Sequence, residues 1–365
     1  MGSASTPGGH RPLHLSGVVL PDGEQRELWI DQGCVRSASV PGAETVATNA
    51  YLMPGLVDAH CHLGLDAHGA VDRATTEQQA VTDRAAGALL LRDAGSPADT
   101  RWVDGREDLP RVIRAGRHIA RPKRYLRNYG DEVEPGELVA AVERQVAAGD
   151  GWVKLVGDWI DRDLGDLAPL WPLDALEAAI LRAHELGARV TAHVFGEQAL
   201  PDLLEAGVDG IEHGTGLGDE TITIMAERRI ALVPTLVQLD NFESFAAAGE
   251  QKFPTYARHM RSLYARRLQV FGAAYDAGVP IYAGTDAGGF LPHGLIGREM
   301  ELLGQVCTPT DALASGSWAA REWLGRPSGL SEGDPADLVV FDTDPRDDLR
   351  VLSAPRLVIL RGRVV

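Results

Sequence analysis

The sequence predicts an α/β fold: a (β/α)8 barrel of the TIM type with a small β-sandwich formed by the N- and C-terminal segments. Three observations lead there. From Leu52 to about Arg326, short apolar runs alternate with longer helical patterns, the mark of a parallel sheet with crossover helices. Eight such units fill a span that suits a single (β/α)8 barrel. Both ends of the chain read instead as brief strands broken by turns.

Taken in order, the barrel strands are expected at Leu56–His62, Ala88–Asp93, Arg111–Ile119, Trp152–Val156, Arg189–Val194, Gly210–His213, Ile230–Thr235 and Pro280–Asp286. Two intervening helices are clearest. Leu138, Val139, Val142 and Val146 recur at helical spacing within Pro135–Ala148, as do Leu173, Leu176, Ile180 and Leu181 within Pro172–Leu186. Pro135 and Pro172 stand near the starts, where a missing N–H costs little, and Gly149 and Gly187 follow the ends, where a left-handed cap is wanted. Terminal strands are expected at Leu13–Leu20, Glu27–Ile30 and Cys34–Val40, then at Asp337–Asp342 and Arg356–Val365, with a tight turn at Arg361-Gly362-Arg363. Neither terminal piece can build a core alone. They are therefore expected to pair, making 1–54 plus 328–365 one unit and 55–327 the barrel.

Composition sets the outer bounds. The 365 residues are 44% hydrophobic and 24% charged, as in an ordinary globular chain. A net charge of −17 speaks against nucleic acid as a partner, which usually leaves a basic footprint. No apolar run is long enough to span a membrane, and the polar stretch Met1–Pro12 lacks the apolar region of a signal peptide, so a cytoplasmic location is expected. Three scattered cysteines, Cys34, Cys61 and Cys307, imply no disulfide framework. The paired terminal strands leave edges at which a homo-oligomer could form.

The chemistry begins at Asp58-Ala59-His60-Cys61-His62. Side chains alternate along a strand, so His60 and His62 share a face about 7 Å apart, close enough to hold one metal ion, with Asp58 on the same face. Cys61 points the other way and reads as a packed core thiol. An isolated His-x-His is weak evidence, but here it has company. His193 ends the fifth strand, His213 the sixth and Asp286 the eighth, while Lys154 lies on the fourth. In such a barrel the catalytic groups occupy the C-terminal ends of strands, where unrelated core histidines have little reason to gather.

In this pattern the chain resembles the amidohydrolase superfamily. Met53-Pro54-Gly55-Leu56-Val57-Asp58, Arg92-Asp93-Ala94-Gly95, Val233-Pro234-Thr235-Leu236 and Gly333-Asp334-Pro335-Ala336-Asp337-Leu338-Val339-Val340 match it further. Glu212-His213-Gly214-Thr215 and Gly284-Thr285-Asp286-Ala287-Gly288 make it most similar to the imidazolonepropionase-like and metal-dependent prolidase-like groups. The resemblance implies a binuclear site, with zinc as the expected metal. His60, His62 and Asp286 would hold one ion and His193 and His213 the other. Lys154, carboxylated to a carbamate, would bridge the two, with a hydroxide between them. Asp286 would also move the proton. The implied reaction is hydrolysis of an amide-type C–N bond in an N-acyl amino acid, dipeptide or cyclic amide, or of a lactone or ester. A one-metal deaminase of heterocycles is the enzyme alternative, and a non-catalytic scaffold the alternative of another class. Lys154, and Glu197 at four residues past His193, lean against deamination; the filled ligand positions lean against a scaffold.

Residues Arg111 to Arg127 carry seven cations and no acidic residue. That run suggests an anion-binding edge for a small, carboxylate-bearing substrate, with Arg124 and Arg127 at the rim; a solvated or internally paired loop is the competing reading. His118, Tyr129 and His293 complete the candidate substrate set. Tyr125 reads as an exposed loop residue, and His10, His14, His68, His184 and His259 have no expected catalytic part.

Overall fold

The computed structural model describes residues 11–365; the expectations for residues 1–10, His10 included, lie outside it. The fold is mixed α/β. Its terminal segments pair in one seven-stranded sheet, in the order Arg363–Val364, Leu357–Leu360, Leu338–Phe341, Glu44–Pro54, Leu13–Val19, Glu24–Asp31, Cys34–Arg36. At its centre is an eleven-residue strand, Glu44–Pro54, absent from the sequence reading. It runs parallel to Leu13–Val19 and antiparallel to Leu338–Phe341, so it joins the two ends of the chain. Gly17 allows the close approach, because a Cβ there would collide with the Ala50 carbonyl. Strand pairing thus defines a single continuous sheet, and a two-layered sandwich is not evident from it.

The central strands are parallel and buried on both faces, which is why they read as unbroken apolar runs. Leu56–Cys61, Ala88–Asp93 and Arg111–Arg114 form one sheet. Ile119–Ala120, Trp152–Val156, Arg189–Val194, Gly210–His213 and Ala231–Val233 form another, with Asp131–Glu132 on its edge. Two expectations change. The third strand is broken: Arg111–Arg114 pairs with the second, whereas Ile119 pairs with Leu155 of the fourth. Between them Gly116 turns with φ 74°, a left-handed conformation that interrupts the ladder. The eighth segment, 280–286, with Ala287 just past its end, makes only isolated bridges, Leu232 with Ile281 and Cys61 with Ala287, so the ladder is not continuous around a closed barrel. Among the described residues no helix is long and apolar enough to cross a membrane.

The two clearest helices form where expected, but only Gly187 has the expected left-handed conformation, at φ 78°; Gly149 is extended at φ −90°. One begins with a 3-10 turn at Pro135–Glu137 and continues over Leu138–Ala148; the other covers Leu173–Glu185. The long helix Pro254–Asp276 is fastened to the loops above the site through His259. Its ring bonds Asp166 Oδ1 and Glu197 Oε2, both at 2.9 Å. The Glu197 bond chiefly, and the Asp166 bond after it, raise the His259 pKa to about 9 against the cost of burial. A group whose folded pKa is raised contributes stability that is full below its unfolded value and is lost as pH climbs through the folded one. The contribution of His259 should therefore fade between about pH 6.5 and pH 9. Relative to wild type, His259→Gln should lose more Tm at pH 6 than at pH 9.5; an equal loss at both would remove the protonated ring from the account.

Candidate metal centre

The C-terminal ends of the parallel strands bring His60, His62, Asp286, His193, His213 and Lys154 together, all buried but Asp286, which is slightly open. The tightest group is His60, His62 and Asp286, whose ligand atoms all lie within 4.8 Å of one another. His60 Nε2 and His62 Nε2 are 3.2 Å apart, and each faces Asp286 Oδ1, at 3.0 and 2.8 Å. His213 lies beside His60, with ring centroids 5.4 Å apart, and His193 beside His213 at 4.6 Å.

Supporting bonds orient these rings. His62 Nδ1 lies 2.7 Å from the Gly95 carbonyl, which can only accept, so that nitrogen carries the proton and Nε2 keeps its lone pair for a metal. His213 Nδ1 is held by the Thr235 hydroxyl at 2.7 Å. His60 Nδ1 and His193 Nε2 are buried without a hydrogen-bond partner. Of the two, His60 Nδ1 faces Glu212 while that ring meets the centre through Nε2, whereas an unprotonated His193 Nε2 would offer its lone pair to a divalent cation. The backbone is strained at the same rim: His213, Thr235 and Asp286 adopt φ of 67°, 50° and 59°. Left-handed non-glycine residues, one of them β-branched, persist where surrounding structure over-determines them, as at functional sites.

The electrostatics suit metal ligation. Burial holds His60 and His213 well below the usual imidazole range and His193 at about 3, with Lys154 adding repulsion, so these rings are neutral at pH 7. Burial also pushes the Lys154 amine well below its ordinary value, against the pull of Asp286. For Asp286, burial acts upward, but its close contacts with the His60 and His62 rings override it and hold the carboxyl well below the usual range.

Two buried carboxylates brace the site from below. Asp58 accepts from the Thr285 amide and hydroxyl and from the His60 amide. It thereby ties the first segment to the eighth, a structural part in keeping with its strand position. Glu212 was not singled out from the sequence. It is fully buried, takes two guanidinium bonds from Arg92 at 3.0 Å, pairs with Lys154, and lies 3.5 Å from His60 Nδ1. Its strand neighbour His213 drew attention to that segment, but nothing local pointed to Arg92 as its partner 120 residues away.

The expected substrate residues are only partly assembled. A cavity opens before the centre, lined by His62, His193, Asp286, Gln238, Tyr129 and a set of aromatic side chains. Tyr129 contributes a ring edge, but its hydroxyl is committed to the Asp66 carbonyl at 2.7 Å. Tyr125, expected to be an exposed loop residue, is instead largely enclosed on the cavity wall. His118 is buried against His62, ring centroids 4.8 Å apart, with neither ring nitrogen partnered. His293 does not line the cavity; it is buried against Asp83 of the helix Arg73–Ala85 at 2.7 Å. Arg124 is also turned away, bonded to Asp161, the Trp159 carbonyl and the Ala168 carbonyl, and Arg127 is exposed. Three more cations of the basic run are paired with acidic side chains: Arg111 with Asp337, Arg114 with Asp104 and Asp150, Arg121 with Glu134. His184 and Glu197 are engaged outside the centre, with Asp209 and with His259 and Arg266.

Comparison with known proteins places this geometry among relatives. The amidohydrolase family model matches residues 51–365. An uncharacterized protein of Mycobacterium tuberculosis H37Rv is 56% identical over 354 residues, covering 96% of this chain and 95% of its own. Ochratoxinase of Aspergillus niger is 25% identical over 230 residues, 61% of this chain and 47% of that protein. A Bifidobacterium longum protein assigned as a prolidase superposes with a TM-score of 0.83 at 26% identity, over 98% of this chain and 95% of that one. A Xaa-Pro dipeptidase with bound methionine in its active site shares the fold, with a TM-score of 0.80 at 21% identity over 97% and 99% of the two chains.

Proposed function

The chain belongs to the amidohydrolase family, as a C–N bond hydrolase of the prolidase-like group, and on that premise we propose that it is a metal-dependent enzyme acting on an amide-type substrate. The observation that carries this reading is the convergence of His60, His62 and Asp286 on one point at the inner end of a cavity. The same reading takes the two parallel sheets as one (β/α)8 barrel, supported by the bridges from Ile281 and Ala287 to both neighbours. It takes 1–54 plus 328–365 as a separate β-sandwich, supported by an apolar cluster drawn from Leu13–Leu52 and Leu330–Ile359.

The donor set fits a divalent metal such as zinc: neutral imidazoles, an ionised carboxylate and the unpartnered His193 Nε2. His60, His62 and Asp286 would hold one ion, His193 and His213 a second, and Lys154, carboxylated, would reach both. Bound there, the metals would supply Lewis acidity toward the scissile carbonyl and acidify the attacking water. Asp286 accepts the proton of that water and passes it to the leaving amine. The neutral Lys154 amine attacks CO₂, forming the carbamate N–C bond and releasing a proton.

Metal analysis after growth with ample zinc and bicarbonate should return two ions per chain, falling to one or fewer in Lys154→Ala. A single ion in the wild type would overturn the two-metal assignment. A hydrolysis panel of N-acyl amino acids, dipeptides, cyclic amides, lactones and aminated heterocycles tests the reaction. Amine release from an amide is expected, whereas ammonia release from a heterocycle alone would replace this reading with deamination.

A further inference from the structure

The cavity wall has a composition that the hydrolytic centre itself does not require. Tyr125, Tyr129, Trp159, Phe195, Phe245 and Phe290 line it, contributed by the segments that follow the third, fourth, fifth, seventh and eighth strands. Edge-to-face pairs lock them into one surface, Tyr125 on Trp159 at 4.8 Å and Phe245 on Phe290 at 5.5 Å between centroids. The surface reaches the centre itself, since Phe195 lies against His193 at 4.3 Å. At its outer end Phe290 is 47% exposed, a large apolar ring left in water beside the opening.

The polar content of the same wall is small. Apart from His62, His193 and Asp286 it consists of the two tyrosines and Gln238, whose carbonyl is already bonded by Asn241. No Lys or Arg lines the cavity, and Arg124, which reaches the Trp159 carbonyl, gives its terminal nitrogens to Asp161, that carbonyl and the Ala168 carbonyl. A pocket with an apolar aromatic wall and few polar groups selects by ring burial, not by pairing charge.

We infer that the site takes a neutral amide carrying an aromatic ring next to the scissile bond, seated on Trp159, Phe195 and Phe290, and that it needs no carboxylate on the substrate. The inference rests on the amide-hydrolase reading above and narrows its substrate class.

The test compares N-phenylacetyl-alaninamide, N-acetyl-alaninamide and N-phenylacetyl-alanine with metal-loaded protein, cleavage being followed by release of the primary amine. Burial of the ring should give the phenylacetyl amide about 10- to 100-fold higher kcat/KM than the acetyl amide. That ratio should shrink toward one in Phe290→Ala and Trp159→Leu. The free carboxylate should change kcat/KM by less than about threefold, as expected where no charge pair forms. Equal rates for phenylacetyl and acetyl amides, or a tenfold preference for the carboxylate, would overturn the inference. Calorimetric titration of metal-loaded Asp286→Asn with the same compounds separates the two claims. Selective binding of the phenylacetyl amide without wild-type turnover keeps the aromatic subsite and removes the hydrolase reading. Absence of both binding and cleavage removes the subsite.

Discussion

Asp286→Asn is expected to lower kcat by about 10²- to 10⁴-fold, the range assigned to a positioned proton-transfer group, with a much smaller change in KM. The argument begins with the backbone. Asp286 sits at φ 59°, a conformation that Asn tolerates and most side chains do not, so this replacement removes the carboxylate without adding strain. The amide oxygen can still occupy the point that Oδ1 shares with His60 Nε2 and His62 Nε2, at 3.0 and 2.8 Å. What the amide cannot do is accept a proton from water and return it to a leaving amine. Tm near the wild-type value and a retained metal count, measured beside kcat, would place the loss at proton transfer. A fall of less than about tenfold with metal retained would contradict the role given to Asp286.

Much of the site was legible because it is built on regular elements. Strand period puts His60 and His62 on one face, and the parallel-barrel pattern puts His193, His213 and Asp286 at one rim; the structure brings all five together with Lys154. What was illegible depends on pairing across long separations. The cationic run of residues 111–127 looked like a free anion edge because its partners are remote in sequence, Asp337 for Arg111 and Asp161 for Arg124. Glu212 was quoted only as part of a motif and given no role of its own, because Arg92 reaches it from another strand.

Fold details failed for related reasons. Glu44–Pro54 has a burial pattern that alternates poorly, and its small and polar residues carry little strand preference, so its tertiary pairing decides it. Pro280 cannot donate to a ladder, and although its carbonyl and that of Ala283 accept from Leu232 and Ala59, and the Tyr282 and Asp286 amides donate to Leu232 and His60, these bonds do not build a continuous ladder. Of the aromatic wall, only Tyr129 stood among the candidates drawn from the sequence. The wall's members come from five segments, and no spacing relates Tyr125 to Phe290.

Arg92→Met should destabilise the protein by about 3–5 kcal/mol, the cost of breaking a buried ion pair from one side. Arg92 and Glu212 are both fully buried. The guanidinium gives two bonds to Glu212 Oε1 at 3.0 Å, one to the Ala59 carbonyl and one to Thr191, and it lies over the Trp152 ring at 4.3 Å. Burial lowers the Arg92 pKa to about 9, so the guanidinium remains charged at neutral pH. Met restores part of the side-chain volume but leaves the Glu212 carboxylate without its strongest counter-charge. That carboxylate also pairs with Lys154 and lies 3.5 Å from His60 Nδ1, so the damage should spread to the candidate metal ligands. Denaturant unfolding with and without zinc would show both effects, a lower midpoint and a smaller gain from added metal. The double variant Arg92→Met/Glu212→Met should lose less than the sum of the single losses, because it leaves no unpaired charge between the two positions. Additive losses would mean that Arg92 acts through packing on Trp152, with its charge serving no structural purpose.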